Sequence, residues 1–403
     1  MIVKEKSMGL KPEAEVIVMK DKEELIKRES QAIIQTYTRQ SIALARGSGA
    51  VVWDTEGKEY LDFVAGIAVN NVGHCHPAVV EAIKKQAEIL IHTSNIYYTE
   101  NQIDLAEELK SLTGMDKAFF CNSGAESVEA ALKLTRRARG KPEVVAAVGS
   151  FHGRTLGALG TTYKSAYREP FRPLNEAKFV PYDDPEALKK AVTKETGAVI
   201  LEPVQGEAGV IVPDPGYLKA ARQICDDSGA LLILDEVQTG FGRTGRWFGK
   251  EHSGVQPDIM TLAKALAGGL PMGAMLAFES VSGTFQRGDH ASTFGGGPLV
   301  SAAALATISA IKSESLVQRS DELGAYMRSE LKKLGPKEVR GLGLMIGLTL
   351  ETDCKLVVQK AREMGVLLNN TSDSMIRLVP PLVVTKDQID RVVKVLGEIL
   401  EKS

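Results

Sequence analysis

One lysine of this chain stands where a lysine is costly. In Thr261-Leu262-Ala263-Lys264-Ala265-Leu266-Ala267-Gly268-Gly269 it is flanked by small and apolar residues. Burial there would lower its pKa and make the amine a nucleophile or Schiff-base former. Most lysines near strand ends merely carry their charge out to water. Lys264 differs because it follows Asp235 by 29 residues, one helix-to-strand step, so both can point into one crevice. Asp235 itself ends the apolar run Ala230-Leu231-Leu232-Ile233-Leu234 and opens Asp235-Glu236-Val237-Gln238. A carboxylate leaving a strand buried on both faces needs a positive partner or a donor. A protonated heterocycle nitrogen, a Mg²⁺ ion or a helix cap would each serve. The nucleotide-hydrolase version of the metal case also needs G-x-x-x-x-G-K-[ST], which the chain lacks.

Other strand ends are polar as well. Asn122-Ser123-Gly124-Ala125-Glu126-Ser127 is a small-residue turn opening a helix, whose free N–H groups suit a phosphate; an ordinary serine cap is the competing account. Ser150-Phe151-His152-Gly153-Arg154 offers an aromatic to stack on a flat ligand and an arginine for a carboxylate, or else a core phenylalanine beside a solvated arginine. Leu201-Glu202-Pro203-Val204-Gln205-Gly206-Glu207 places two acids in one short turn. His74-Cys75-His76 is a poor metal site, because adjacent residues project apart and no second cluster stands at ligand spacing.

Open parallel sheets bind ligands outside the carboxyl ends of their strands, so the elements must supply such a sheet. From about 70 to 285, short apolar runs alternate with helical stretches, which predicts a mostly parallel sheet covered by helices. The candidate strands are 117–121, 144–148, 198–201, 230–234, 259–262 and 273–278, with helices over 126–139 and 216–228 between them. Ahead of this region a charged helix over 21–36 and strand-like runs 50–53 and 59–63 suggest a small N-terminal lobe. Behind it come helices over 299–312 and 321–334, strand-like 343–350 and 375–380, and a final helix over 386–401. The expected division is 1–69 for the N-terminal part of a small domain, 70–300 for a large ligand-binding domain and 301–403 for the C-terminal part of the small one.

The bulk numbers limit the partners. Against 49 Lys and Arg stand 51 Asp and Glu, a formal charge of −2, which argues against nucleic acid or an anionic membrane as the main partner. The four cysteines form no C-x-x-C pair, and a reduced, cytoplasmic setting is expected. No stretch reaches the roughly 18–20 apolar residues of a membrane span, so a soluble, unexported protein is expected.

Jointly, FVAGIAVNNVGHCHP (63–77), NSGAES (122–127), FHGRT (151–155), EPVQGE (202–207), LDEVQTGFGRTG (234–245), PDIMTLAKALAGGLPMGA (257–274) and STFGG (292–296) resemble the class III aminotransferases, which depend on pyridoxal 5′-phosphate (PLP). The likeness runs from about 37 to about 389. It implies an α/β fold of the aspartate aminotransferase type (fold type I), with a mostly parallel seven-stranded sheet in the large domain and a small α+β domain from both termini. By the same resemblance Ser123, Gly124 and Ala125 would cradle the phosphate, Phe151 would stack on the ring and His152 would lie against the cofactor. Asp235 would pair with the ring nitrogen, Gln238 would meet the ring hydroxyl, and Lys264 would bind the cofactor covalently. Thr293 would reach the phosphate in a neighbouring subunit, which implies a homodimer with shared sites.

Within the class, 70–77, 92–109 and 376–385 are most similar to acetylornithine aminotransferases. That implies a terminal amine passed to 2-oxoglutarate. Arg154 would hold the donor's α-carboxylate, Arg377 that of the keto acid or glutamate, and Glu207 would neutralise Arg377 while the donor is bound; Glu202 and Ser292 would shape the pocket. Two departures bear on the donor: Gly297 stands where Asn is more usual, and Ala208 where Gly is common. Ornithine, succinylornithine, 4-aminobutyrate, succinyl-diaminopimelate and carrier-linked lysine precursors present similar amines. A decarboxylase or aminomutase would share Lys264 and Asp235 without needing Arg377. A nicotinamide enzyme has only the ill-spaced Gly341-x-Gly343-x-x-x-Gly347 in its favour.

Overall fold

The computed structural model describes residues 21–401. Short apolar runs too brief for a helix pair instead into strands. Three N-terminal strands, β1 (Leu44–Ser48), β2 (Val51–Asp54) and β3 (Glu59–Asp62), form an antiparallel meander. Seven more build the central sheet: β4 (Lys117–Cys121), β5 (Glu143–Ala147), β6 (Lys178–Val180), β7 (Thr196–Leu201), β8 (Leu231–Asp235), β9 (Ile259–Leu262) and β10 (Gly273–Ala277). Their order is β4-β10-β9-β8-β7-β5-β6. β10 runs antiparallel to both neighbours, and the other pairings are parallel. This is the seven-stranded, mostly parallel sheet that the motifs imply. β6 escaped the candidate strands, since three residues (Lys-Phe-Val) carry too little pattern.

Every residue of β7 and β8 is buried, so side-chain alternation sorts them onto two covered faces. Leu231 and Ile233 pack with Val128, Ala131 and Leu134 of the helix Gly124–Arg139. Leu232 and Leu234 pack with Leu218, Ala221 and Cys225 of the helix Tyr217–Ser228. Asp235 continues the first set. It therefore emerges on the face that Gly124–Arg139 covers.

The remaining strands are β11 (Glu338–Leu342), β12 (Met345–Thr349), β13 (Val366–Leu367), β14 (Asn369–Ser372) and β15 (Met375–Leu378). β13 joins the N-terminal meander, parallel to β3, while the other four make an antiparallel sheet ordered β11-β12-β15-β14. β11 and β14, rich in polar residues and glycine, were not foreseen. The first helix stops at Ala32 rather than 36: Ile33 turns extended and Gln35 Nε2 bonds its carbonyl at 2.8 Å. The helix expected from 321 starts at Leu316, straight after a left-handed Ser315. Among the described residues no single helix is long and apolar enough to cross a membrane.

Several large apolar residues at 89–98, and Phe294, are left exposed. Ile96, Tyr97, Tyr98 and Phe294 are 77%, 66%, 96% and 64% exposed, and Ile89 and Ile91 lie open beside them in sequence. Isolated exposed apolar residues need no explanation; a run of them does.

Candidate functional site

A cavity of about 450 Å³ opens at the carboxyl ends of β4, β5, β7, β8 and β9. Ser123, Gly124, Ala125, Phe151, His152, Arg154, Glu202, Asp235, Gln238 and Lys264 all line it. Ser123 caps the helix Gly124–Arg139: its Oγ accepts from Glu126 N at 3.2 Å, while the Glu126 carboxylate accepts from Asn122 Nδ2 at 3.0 Å. The first-turn N–H groups have no partner within their own helix and face the cavity with the positive end of the dipole. Gly124 is needed for close packing, because a Cβ there would come within 2.9 Å of Val237 Cγ1.

Asp235 is held on three sides. Its Oδ2 lies 2.7 Å from His152 Nδ1, and its Oδ1 accepts from Val237 N and Thr261 Oγ1, each at 3.1 Å. His152 Nε2 is buried and has no hydrogen-bond partner among the described residues. Glu202 accepts from Phe151 N and Gly206 N, each at 3.3 Å, and burial pushes its carboxyl up to about 7. Lys264 follows β9 with φ 41°, a left-handed conformation that a residue with a Cβ adopts at a cost. Burial lowers its amine to about 8; Glu207 opposes that and Arg377 adds to it.

Above Lys264 sits a second charged pair. Arg377, 1% exposed on β15, donates through Nη1 to Glu207 at 2.5 Å and to Gln238 Oε1 at 3.3 Å, and through Nη2 to Asn369 Oδ1 at 2.9 Å. Burial alone would raise the Glu207 carboxyl, but Arg377 and Lys264 together hold it below its ordinary value. Arg154 is exposed and lies over the Tyr167 ring, 3.4 Å from its centroid. Among the described residues it forms no ion pair.

Ser292 and Thr293 are not brought into this cavity. They line a separate surface groove of about 700 Å³ beside Asn95, Gln102 and Ile96. Ser292 Oγ accepts from Gly295 N at 3.0 Å and from Asn122 Nδ2 at 3.3 Å, and Thr293 is exposed. The rings of His74 and His76 part company, to Asp62 and Glu314, and among the described residues no group could hold a metal ion. Sequence reasoning missed Thr261, Asn369 and Val237. Val237 alone left a local sign, between Glu236 and Gln238 at a strand end.

The class-III aminotransferase family matches residues 33–400. The chain belongs to the class III aminotransferases. Its similarity to individual relatives is close: it is 60% identical over 379 residues to the acetylornithine aminotransferase of Methanosarcina acetivorans, covering 93% of this chain and 95% of that one. Among solved structures, the ornithine aminotransferase of Toxoplasma gondii superposes with a TM-score of 0.92 at 34% identity, covering 95% and 97% of the two chains. The acetylornithine aminotransferase of Elizabethkingia anophelis does so with a TM-score of 0.85 at 35% identity, covering 95% and 100%.

The cofactor of this aminotransferase is PLP, and the cavity suits that group on its own terms. A helix N-terminus with a glycine at its closest approach suits a phosphate. A fixed carboxylate, 4% exposed, calls for a protonated nitrogen. An amine lowered to about 8 suits covalent attachment to a carbonyl carbon.

Proposed function

We propose that this aminotransferase moves the terminal amine of N2-acetylornithine to 2-oxoglutarate, giving N-acetylglutamate 5-semialdehyde and glutamate, as in arginine biosynthesis. The observation that carries the donor is the 60% identity, over 93% of the chain, with a protein named acetylornithine aminotransferase. The Glu207–Arg377 pair supports the division of labour between donor and acceptor.

When bound, PLP supplies an electron-withdrawing ring that takes up the electron pair left on the substrate carbon. Ser123, Gly124 and Ala125 would hold its phosphate, Phe151 its ring face, Asp235 its nitrogen and Gln238 its hydroxyl. His152, bonded to Asp235, would keep that carboxylate aimed. Lys264 would bind the cofactor covalently. With the donor amine in the lysine's place, the neutral Nζ would take the proton from the donor's amine-bearing carbon and pass it to the cofactor, and in the second half it would carry a proton the other way, onto the carbonyl carbon of the keto acid. Arg154, paired with no carboxylate among the described residues, would meet the donor's α-carboxylate at the cavity mouth, while Glu207 would cover the charge of Arg377. 2-Oxoglutarate would displace Glu207 and be held by Arg377 at its α-carboxylate. Glu202, whose carboxyl burial raises to about 7, would shape the floor of the pocket.

We further infer a homodimer with shared sites, in which Thr293 and Ser292 serve the neighbouring subunit; the apolar run at 89–98 with Phe294 beside that groove supports it. Residues 70–300 would form the large domain, with 1–69 and 301–403 joined as the small one, a union that the parallel β3–β13 pairing favours. A cytoplasmic setting fits the four free cysteines.

The test is a half-reaction. N2-acetylornithine, ornithine or 4-aminobutyrate is added to the loaded protein without a keto acid, and loss of the bound-cofactor absorbance is followed. Fast loss with N2-acetylornithine, absent in Lys264→Ala, is the expected result. Fast loss with another donor alone would overturn the donor, and turnover by Lys264→Ala would overturn the role of the lysine.

A further inference from the structure

The loop that carries Glu207 is gripped from outside the cavity. Gln205 and Ile211 close it with two backbone hydrogen bonds of 3.0 Å, leaving 206–210 as a tight projection. In the antiparallel sheet Arg340 of β11 lies opposite Gly347 of β12, Gly347 opposite Arg377 of β15, and Arg377 opposite Asn369 of β14. Directly opposed residues share one face, so the two arginines flank a gap where Gly347 has no side chain. The loop lies in that gap: a Cβ on Gly347 would stand 2.5 Å from the Gly209 carbonyl oxygen and 3.1 Å from Val210 Cβ. Arg340 closes on it with Nε to the carbonyls of Gly209 (3.1 Å) and Val210 (3.0 Å) and Nη2 to Gly209 (2.9 Å). Glu338 and Thr349 hold Nη1 of the same guanidinium in place. Val210 is kept at φ 61° and Gly209 at φ 100°, conformations that an unanchored loop would readily abandon.

We propose that Arg340 is a positioning residue that sets the strength of the Glu207–Arg377 pair, and with it the choice between terminal-amine donors and dicarboxylates. One arginine binds the loop's backbone and the other binds its carboxylate, on a single rigid row. A dicarboxylate must pull Glu207 off Arg377, and Arg340 makes that displacement harder. The inference rests on the assignment of Arg377 to the α-carboxylate of 2-oxoglutarate and of Glu207 as its cover.

The probe is glutarate, an unreactive dicarboxylate, titrated calorimetrically into the loaded protein, with kcat/KM measured for N2-acetylornithine and for glutamate. Glu207→Gln is the reference variant and should tighten glutarate binding about tenfold. Arg340→Ala should tighten it about fivefold and lower the preference for N2-acetylornithine over glutamate by a similar factor, mainly through the KM of glutamate. Arg340→Lys, which keeps a donor for the carbonyls, should restore most of both. Gly347→Ala pushes the same loop from the sheet side and should act as Arg340→Ala does, which keeps the proposal testable if one variant fails to fold. If Glu207→Gln tightens binding while Arg340→Ala and Gly347→Ala leave it unchanged or weaker, the role of Arg340 is overturned and the cover role of Glu207 survives. If Glu207→Gln changes nothing, the assignment of Arg377 falls and takes the role of Arg340 with it.

Discussion

Lys264 shows how one side chain is tuned by what surrounds it. Burial is the main cause of its lowered amine, Arg377 deepens the effect, and the three nearby carboxyls of Glu207, Asp235 and Glu202 limit it to about 8. The sign matters for reactivity. A lysine of ordinary pKa is almost wholly protonated at neutral pH, whereas this one has a sizeable neutral fraction that grows as pH rises towards 8. Covalent uptake of PLP by the unloaded protein should therefore quicken roughly tenfold per pH unit below 8 and level off above it, as followed by absorbance. A rate that is flat from pH 6 to pH 8 would rule out the free amine as the attacking group. Arg377 is buried as well, at a cost that hydrogen-bond acceptors must offset. Glu207, Gln238 and Asn369 supply them, while its buried Nε has no hydrogen-bond partner among the described residues.

At the scale of elements, the helix Gly124–Arg139 serves the cavity and the core at once. Its apolar side, Val128, Ala131 and Leu134, packs on β8 and β9, which fixes where its N-terminus points. Acid stands in its first turn and Arg136, Arg137 and Arg139 in its last, each complementing the dipole. Because Gly124 lies so close to Val237, Gly124→Ala must push the N-terminus away from the cavity or displace Val237. Overpacking of this kind costs about 1–3 kcal/mol, or roughly five- to 150-fold in an affinity. PLP affinity, measured by equilibrium dialysis of the unloaded protein, should weaken by that factor. An unchanged affinity would mean that the phosphate is held elsewhere.

The whole molecule is tied together by a buried cation. Arg243, 0% exposed, donates through Nη1 to the carbonyls of Leu344 and Pro380 and through Nη2 to Asn71 Oδ1, so segments from three parts of the chain meet on one guanidinium. No carboxylate among the described residues pairs with it; backbone oxygens do that work. The exposed apolar run beside the Ser292–Thr293 groove belongs to the same scale, since a surface of this kind calls for a cover. The protein should sediment as a dimer at micromolar concentration. Tyr98→Arg, which sets a charge at the most open position of that run, should shift it toward monomer and weaken PLP retention together. A monomeric parent protein that keeps full PLP affinity would exclude sharing of the cofactor site.

The sequence by itself determined which residues stand at the strand ends that line the cavity. Lys264, Asp235, Ser123 and Phe151 were legible because each stands at the boundary between an apolar run and a polar turn, a pattern local in the chain, and because seven such segments agree with one family. Most of the alternation of helices and strands between 70 and 285 was legible for the same reason. Only the tertiary structure decided what these residues bond to. The grip of His152 and Thr261 on Asp235 joins different strands, and the row Arg340–Gly347–Arg377–Asn369 exists only once four strands are in register. Cross-strand pairing depends on packing over long separations in sequence and leaves no local signal. β6, β11 and β14 were missed because they are short or polar, and neighbouring strands rather than their own side chains make them strands.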